Sequence, residues 1–149
     1  MILKTEQNET KKDIEVIISY PVKNKTIERL ISFINSLDTK IEGHIENSIK
    51  HIIVSDIYYI ESCDKIAVIF CEKDSYRTKY RLYQIYDKLK GLGFVQISKY
   101  CLLNINKLDS IKPLSNRNME AILTNGKRLP ITRKYLLDIK SKLQEIINE

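Results

Sequence analysis

The apolar positions of this chain follow a strand-then-helix pattern up to residue 38 and a run of short strands from Ile49 onward. Residues 14–20, IEVIISY, predict a strand that Pro21 stops. Ile27, Leu30, Ile31, Ile34 and Leu37 then recur at three and four, which predicts a helix over residues 24–38 with Asn24 or Thr26 as N-cap. One strand and one helix cannot cover both of their faces, so this unit must pack on the rest of the chain or on another copy. The polar, Gly-containing stretch KIEGHIEN predicts a boundary between residues 40 and 47.

Beyond it, KHIIVSD, IYYIES, KIAVIFC and SYRTKYRL read as strands rich in Ile, Val, Tyr and Phe, which fit a pleated, half-buried surface. A short helix is expected at 83–90, with Leu82, Ile85 and Leu89 inward and Gly91 or Gly93 ending it. FVQIS, CLLNINKL and SIKPL resume the strands, and the turn SNRN leads into MEAILT. Asn125-Gly126 is the strongest two-residue hairpin signal; it would set Ile122 opposite Leu129 and return the strand as KRLPI, where Pro130 argues for a sheet edge. A last helix is expected over 133–148, with Thr132 as N-cap and Leu136, Ile139, Leu143, Ile146 and Ile147 on its apolar stripe. The expected fold is α+β and mostly β, in two parts: residues 1–46 as a strand-helix unit and residues 47–149 as the main domain.

Charge sharpens this division. The formal net charge is +6 over 149 residues, yet residues 1–48 carry −1 and residues 99–134 alone carry eight Lys or Arg against two acids. A basic face attracts any polyanion, so DNA, RNA and membrane surface all come into view, beside a merely solvated surface. Arg133 and Lys134 fall in the first turn of the last helix, where cations oppose the helix dipole by a few tenths to about 1 kcal/mol each. A bound phosphate reverses that sign, because free N–H groups at a helix start join the two cations in holding an anion.

Other chemistry is not supported. His44 and His51 lack ligand spacing, no HExxH, Walker or GxSxG pattern occurs, and Ser98 and Lys99 as strand neighbours point to opposite faces. A non-enzyme without cofactor or metal is expected. Cys63, Cys71 and Cys101 form no CxxC and sit in apolar runs, which suggests inert, reduced thiols. The longest apolar run, residues 66–71, is far below the roughly 20 residues of a membrane helix, and MILKTEQNET has no signal-peptide core. A cytoplasmic location is expected. The nine tyrosines lie mostly within strand patterns, which fits sheet packing better than base stacking.

The pieces IEGHIEN with SDIYYIES, RLYQIYDKL, FVQISKYCLLNINKL and NGKRLPITRKY occur in an order that resembles a LytTR-type DNA-binding domain, over about two thirds of the chain. The resemblance implies small packed β-sheets that meet double-stranded DNA through loops and strand ends, on tandem repeats upstream of genes. It places base-reading positions at Asp64 and Lys65, at Ser98 and Lys99 (where relatives often carry His with Arg or Asn), and at Arg133. Lys134 and Arg117 are expected as phosphate contacts beside them. A receiver domain usually precedes this module, and 40 residues are too few for one, so phosphorelay control is not expected. The reading is a one-component transcriptional regulator, a homodimer at least on DNA. Residues 1–46 would serve dimerisation, signal input or a membrane-protein partner. The alternative is a non-enzymatic protein-protein adaptor with a basic interaction face.

Overall fold

In the computed structural model, which describes residues 1–115 and 118–147 with the side chains of 143–147 excepted, Asn24 caps the first helix. Its side-chain oxygen accepts the Ile27 N–H at 3.0 Å and satisfies one of the free donors at the start of α1 (Lys25–Leu37). The expected strand ahead of it does not form. Residues 14–20 have no regular secondary structure, and all except the half-buried Ile18 are exposed. A strand needs a hydrogen-bonded neighbour, and among the described residues this segment has none.

The polar stretch KIEGHIEN is β1 (Lys40–Ile45) and its turn, so the sheet takes in residues on both sides of the expected boundary. β2 (Ser48–Ile53), β3 (Tyr59–Cys63), β4 (Ile66–Phe70) and the short β5 (Ser75–Arg77) follow. The expected strand SYRTKYRL is cut short, because Leu82 already opens α2 (Leu82–Leu89), whose Leu82, Ile85 and Leu89 are buried as the spacing predicts. β6 (Phe94–Ser98), β7 (Cys101–Asn104), β8 (Leu108–Pro113), β9 (Met119–Leu123), β10 (Arg128–Ile131) and α3 (Arg133–Ile147) complete the chain.

All strand pairs are antiparallel, in a seven-stranded sheet of order β2-β1-β5-β4-β3-β7-β6 and a three-stranded sheet of order β10-β9-β8. The period-2 alternation of strand side chains divides the interior into two cores. Ile60, Ala67, Ile69, Phe94 and Leu102 face α2, whereas Tyr59, Val95, Ile97, Cys101 and Leu103 face the small sheet and Ile139 of α3. Each fully buried Ile, Leu or Phe contributes about 1.5–3 kcal/mol, and β3, β7 and β6, which carry residues of both cores, tie the two layers together. Leu143, Ile146 and Ile147, expected on the stripe of α3, have side chains outside the described residues.

The Asn-Gly ribbon forms, in a different register. Ile122 lies opposite Arg128, and Leu129 opposite Ala121. Gly126 adopts φ +87°, its N–H donates to the Leu123 carbonyl at 2.9 Å, and the Leu123 N–H donates to Lys127. The loop therefore has three residues, a tight turn followed by a left-handed glycine, and not two. A one-residue slip exchanges faces, and here it sends Ala121, Leu123, Leu129 and Ile131 into the core while Ile122 stays half-buried. Pro130 lies on β10, at the sheet edge, as expected.

Candidate nucleic-acid interface

Three turns are stitched together at one end of the molecule by backbone hydrogen bonds. The first joins β3 to β4 through Asp64 and Lys65, at φ +50° and +69°, between the paired residues Cys63 and Ile66. Two left-handed residues in succession match the strand twist of a tight hairpin. The second turn, Lys99-Tyr100, joins β6 to β7, and its Tyr100 carbonyl accepts the Ser62 N–H at 2.8 Å. β3 and β7 are paired neighbours, about 5 Å apart, so the two turns lie side by side.

A bulge brings in the third. The β6–β7 register shifts between Gln96 and Ser98, and the Ile97 carbonyl accepts the Thr132 N–H at 3.0 Å. A bulge on an edge strand re-aims the backbone locally. Here it fastens the residue immediately before α3 to the strand that ends at Ser98. Arg133 and Lys134 follow in the first turn of α3, which carries no acid, and both are exposed.

Of the residues expected to contact DNA, the fold thus gathers Asp64, Lys65, Ser98, Lys99, Arg133 and Lys134 at one end. Arg117 lies outside the described residues. Ser98 is half-buried, and its hydroxyl accepts the Tyr100 N–H at 3.2 Å, so it shapes the turn that presents Lys99. Lys99 and Lys134 lie over the rings of their neighbours Tyr100 and Tyr135, at 5.5 and 5.6 Å. Among the described residues, none of Lys65, Lys99, Arg133 and Lys134 is held in an ion pair.

Between the first two turns runs a groove of about 310 Å³, bordered by Lys65, Lys99, Arg81, Tyr83 and Tyr100, with Leu82 and Leu102 among its apolar lining. Arg81, Tyr83 and Tyr100 are exposed there and were not expected at the site. The signal for Arg81 was the start of α2, where Gln84 Oε1 accepts the Arg81 N–H at 2.9 Å. Reading SYRTKYRL as one strand hid that helix start.

The ribbon tip, also cationic, is placed differently. Lys127 lies over the Tyr59 ring at 5.8 Å and Lys107 over Tyr58 at 4.9 Å, while Arg128 pairs with Glu120 at 3.2 Å. Tyr59 in turn stacks on Phe70 at 4.4 Å. Burial, reinforced by Glu61, pushes the Tyr59 phenol up to about 12. Burial likewise pushes the Cys101 thiol up to about 12 and the Cys71 thiol up to about 11. Cys63 differs from the expected apolar setting, since it is exposed at the end of β3.

With this arrangement in place, the comparisons are decisive. Residues 47–144 match the family model of the LytTr DNA-binding domain. The chain belongs to the LytTR family. The sensory transduction protein LytT of Enterococcus faecalis is 31% identical over 98 residues, which cover 66% of this chain and 40% of that protein. LytT of Bacillus cereus is 27% identical over 116 residues, covering 74% and 47%. The chain thus spans less than half the length of these relatives. The solved LytTr DNA-binding domain of a Bacillus cereus response regulator superposes with a TM-score of 0.66 at 20% identity, over 70% of this chain and 96% of that one. That likeness confirms the LytTR fold of antiparallel sheets with short helices. As a LytTR domain, the chain is a DNA-binding module of the kind found in response regulators. Among the described residues no helix is long and apolar enough to cross a membrane.

Proposed function

We propose that this LytTR chain is a sequence-specific, double-stranded DNA-binding transcriptional regulator that grips the duplex with the three stitched turns. The observation that carries this reading is the pair of backbone hydrogen bonds, Ser62 to Tyr100 and Thr132 to Ile97, which draw the cationic turns together. Turns on neighbouring strands about 5 Å apart fit within a major groove about 12 Å wide. Arg133 reads a guanine edge, to which its planar fork can donate two hydrogen bonds, and Asp64 suits a cytosine amino group. Lys65, Lys99, Lys134, Arg117 and Arg81 neutralise phosphates and set the register. The first turn of α3 offers free N–H groups to one of those phosphates.

In this reading the protein works in the cytoplasm on tandem repeats, as a homodimer at least on DNA. Residues 1–46 supply dimerisation or signal input, including contact with a membrane-protein partner. The test is selection of DNA from a random pool, followed by gel shifts of the recovered sequence at two salt concentrations. Recovery of a repeated motif with high selectivity is expected. Weak, sequence-blind retardation would instead favour a protein-protein adaptor.

A further inference from the structure

The first 37 residues hold most of the large apolar side chains that the fold leaves exposed, among them Ile14, Val16, Ile17, Val22, Phe33 and Leu37. Residues 14–20 alternate with the period of a strand: Ile14, Val16, Ile18 and Tyr20 share one face, and Glu15, Ile17 and Ser19 the other. Among the described residues, no backbone N–H or C=O of this segment has a hydrogen-bond partner. It is a strand in pattern and lacks only a neighbour.

Among the described residues its own chain supplies none. Lys25 and Glu28, at the start of α1, border the same cavity as Val95 and Gln96 of β6, which places that helix end beside the β6 edge of the large sheet. The open edge of the large sheet, β2, pairs only with β1 among the described residues. β6 itself is engaged by the Thr132 contact, and the two edges of the small sheet, β8 and β10, carry Pro113 and Pro130, which cannot donate to a ladder.

We propose that residues 14–20 of two copies of this chain pair antiparallel about a two-fold axis at Ile17. In that register Val16 faces Ile18, Ile14 faces Tyr20, and Glu15 faces Ser19, so the two Glu15 carboxylates are kept apart. One face of the resulting ribbon carries Ile14, Val16, Ile18 and Tyr20 from both copies. An isologous pairing satisfies the unpaired backbone of both copies at once. Charge favours this location: residues 1–48 carry a net −1, whereas the remainder of each copy carries +7 and repels its like. The inference rests on the dimerisation role proposed above for residues 1–46 and is independent of how the turns meet DNA.

The test uses the full chain without DNA, so that its failure is separate from any failure of DNA binding. Light scattering at tens of micromolar should give twice the monomer mass for the natural sequence, and the monomer mass for Ile17→Lys with an unchanged far-UV circular dichroism spectrum. With the exposed Cys63 replaced by Ser, Ile17→Cys should form a disulfide-linked dimer under mild oxidation, because two-fold partners bring their Cα atoms within the 4.4–6.8 Å a disulfide spans. Glu15→Cys in the same background should not, its copies being four residues out of register. A monomeric natural chain, a dimer that persists in Ile17→Lys, or equal cross-linking at residues 15 and 17 would overturn the proposal.

Discussion

Two ends of this LytTR domain are rich in lysine and arginine, and they differ in what those side chains touch. At the ribbon tip Lys107 and Lys127 lie over the rings of Tyr58 and Tyr59, and Arg128 pairs with Glu120 of the neighbouring strand β9. At the turn end Lys99 and Lys134 meet only the rings next to them in sequence, and Lys65 and Arg133 have no ion-pair partner among the described residues. Charge density alone therefore does not distinguish the two ends. The tip uses its cations to cover aromatic surface, whereas the turn end leaves them free for an external anion.

The sharpest break in this comparison should come from Arg133→Ala, which is expected to weaken binding of the selected DNA by about 1–3 kcal/mol and relax the preference at one base position. A binding-site profile unchanged by that substitution, measured by repeating the selection, would remove Arg133 from base reading. Thr132→Pro tests position without touching charge. It deletes the N–H that fastens α3 to the Ile97 carbonyl and should cost about 0.5–1.5 kcal/mol of stability in urea, together with some DNA affinity. Retained affinity in a destabilised variant would show that the stitch does not organise the interface. Arg128→Ala, at the tip, should change stability by about 0–1 kcal/mol, its side chain being more than half exposed, and leave DNA affinity unaltered.

The smallest effects near neutral pH concern the core beside the tip. The folded-state values of Cys71, Cys101 and Tyr59 are raised, so their contribution is complete below the ordinary thiol and phenol values of about 8.5 and 10. Above those values the unfolded chain releases the protons first, and stability falls as pH rises toward about 11 and 12. Urea midpoints should therefore hold steady from pH 7 to 8 and decline above pH 9. In the same range iodoacetamide should modify the exposed Cys63 well before Cys101, and a reversed order of labelling would contradict the burial pattern.

Local signals carried much of this fold. Asn24 as a cap, the inward Leu82, Ile85 and Leu89, and Pro130 at an edge all follow from side-chain chemistry within a few residues. What local patterns could not carry was pairing. The segment 14–20 has the composition of a strand, but a strand is defined by its neighbour, and among the described residues it has none. The ribbon register turned on whether one or two residues of Asn125-Gly126 are left-handed, and only Gly126 is. Conversely Asp64-Lys65 forms a hairpin without any glycine, so its turn carried no sequence signal of the usual kind. At the candidate interface the residue types were legible from the resemblance, yet their convergence depends on the Ile97 bulge and on the β3–β7 pairing, both long-range. Arg81 joins the groove for the same reason, brought there by a helix start that the strand-like letters concealed.

The salt dependence of DNA binding in two double variants addresses the difference between the ends most directly. If the turn end meets the duplex, Lys65→Gln with Lys99→Gln should reduce the slope of log affinity against log salt by about 1.8, close to 0.9 for each lost phosphate contact. Lys127→Gln with Arg128→Gln, which removes the same number of charges from the tip, should leave the slope unchanged. Equal reductions in both variants, or a reduction only in the second, would contradict the account.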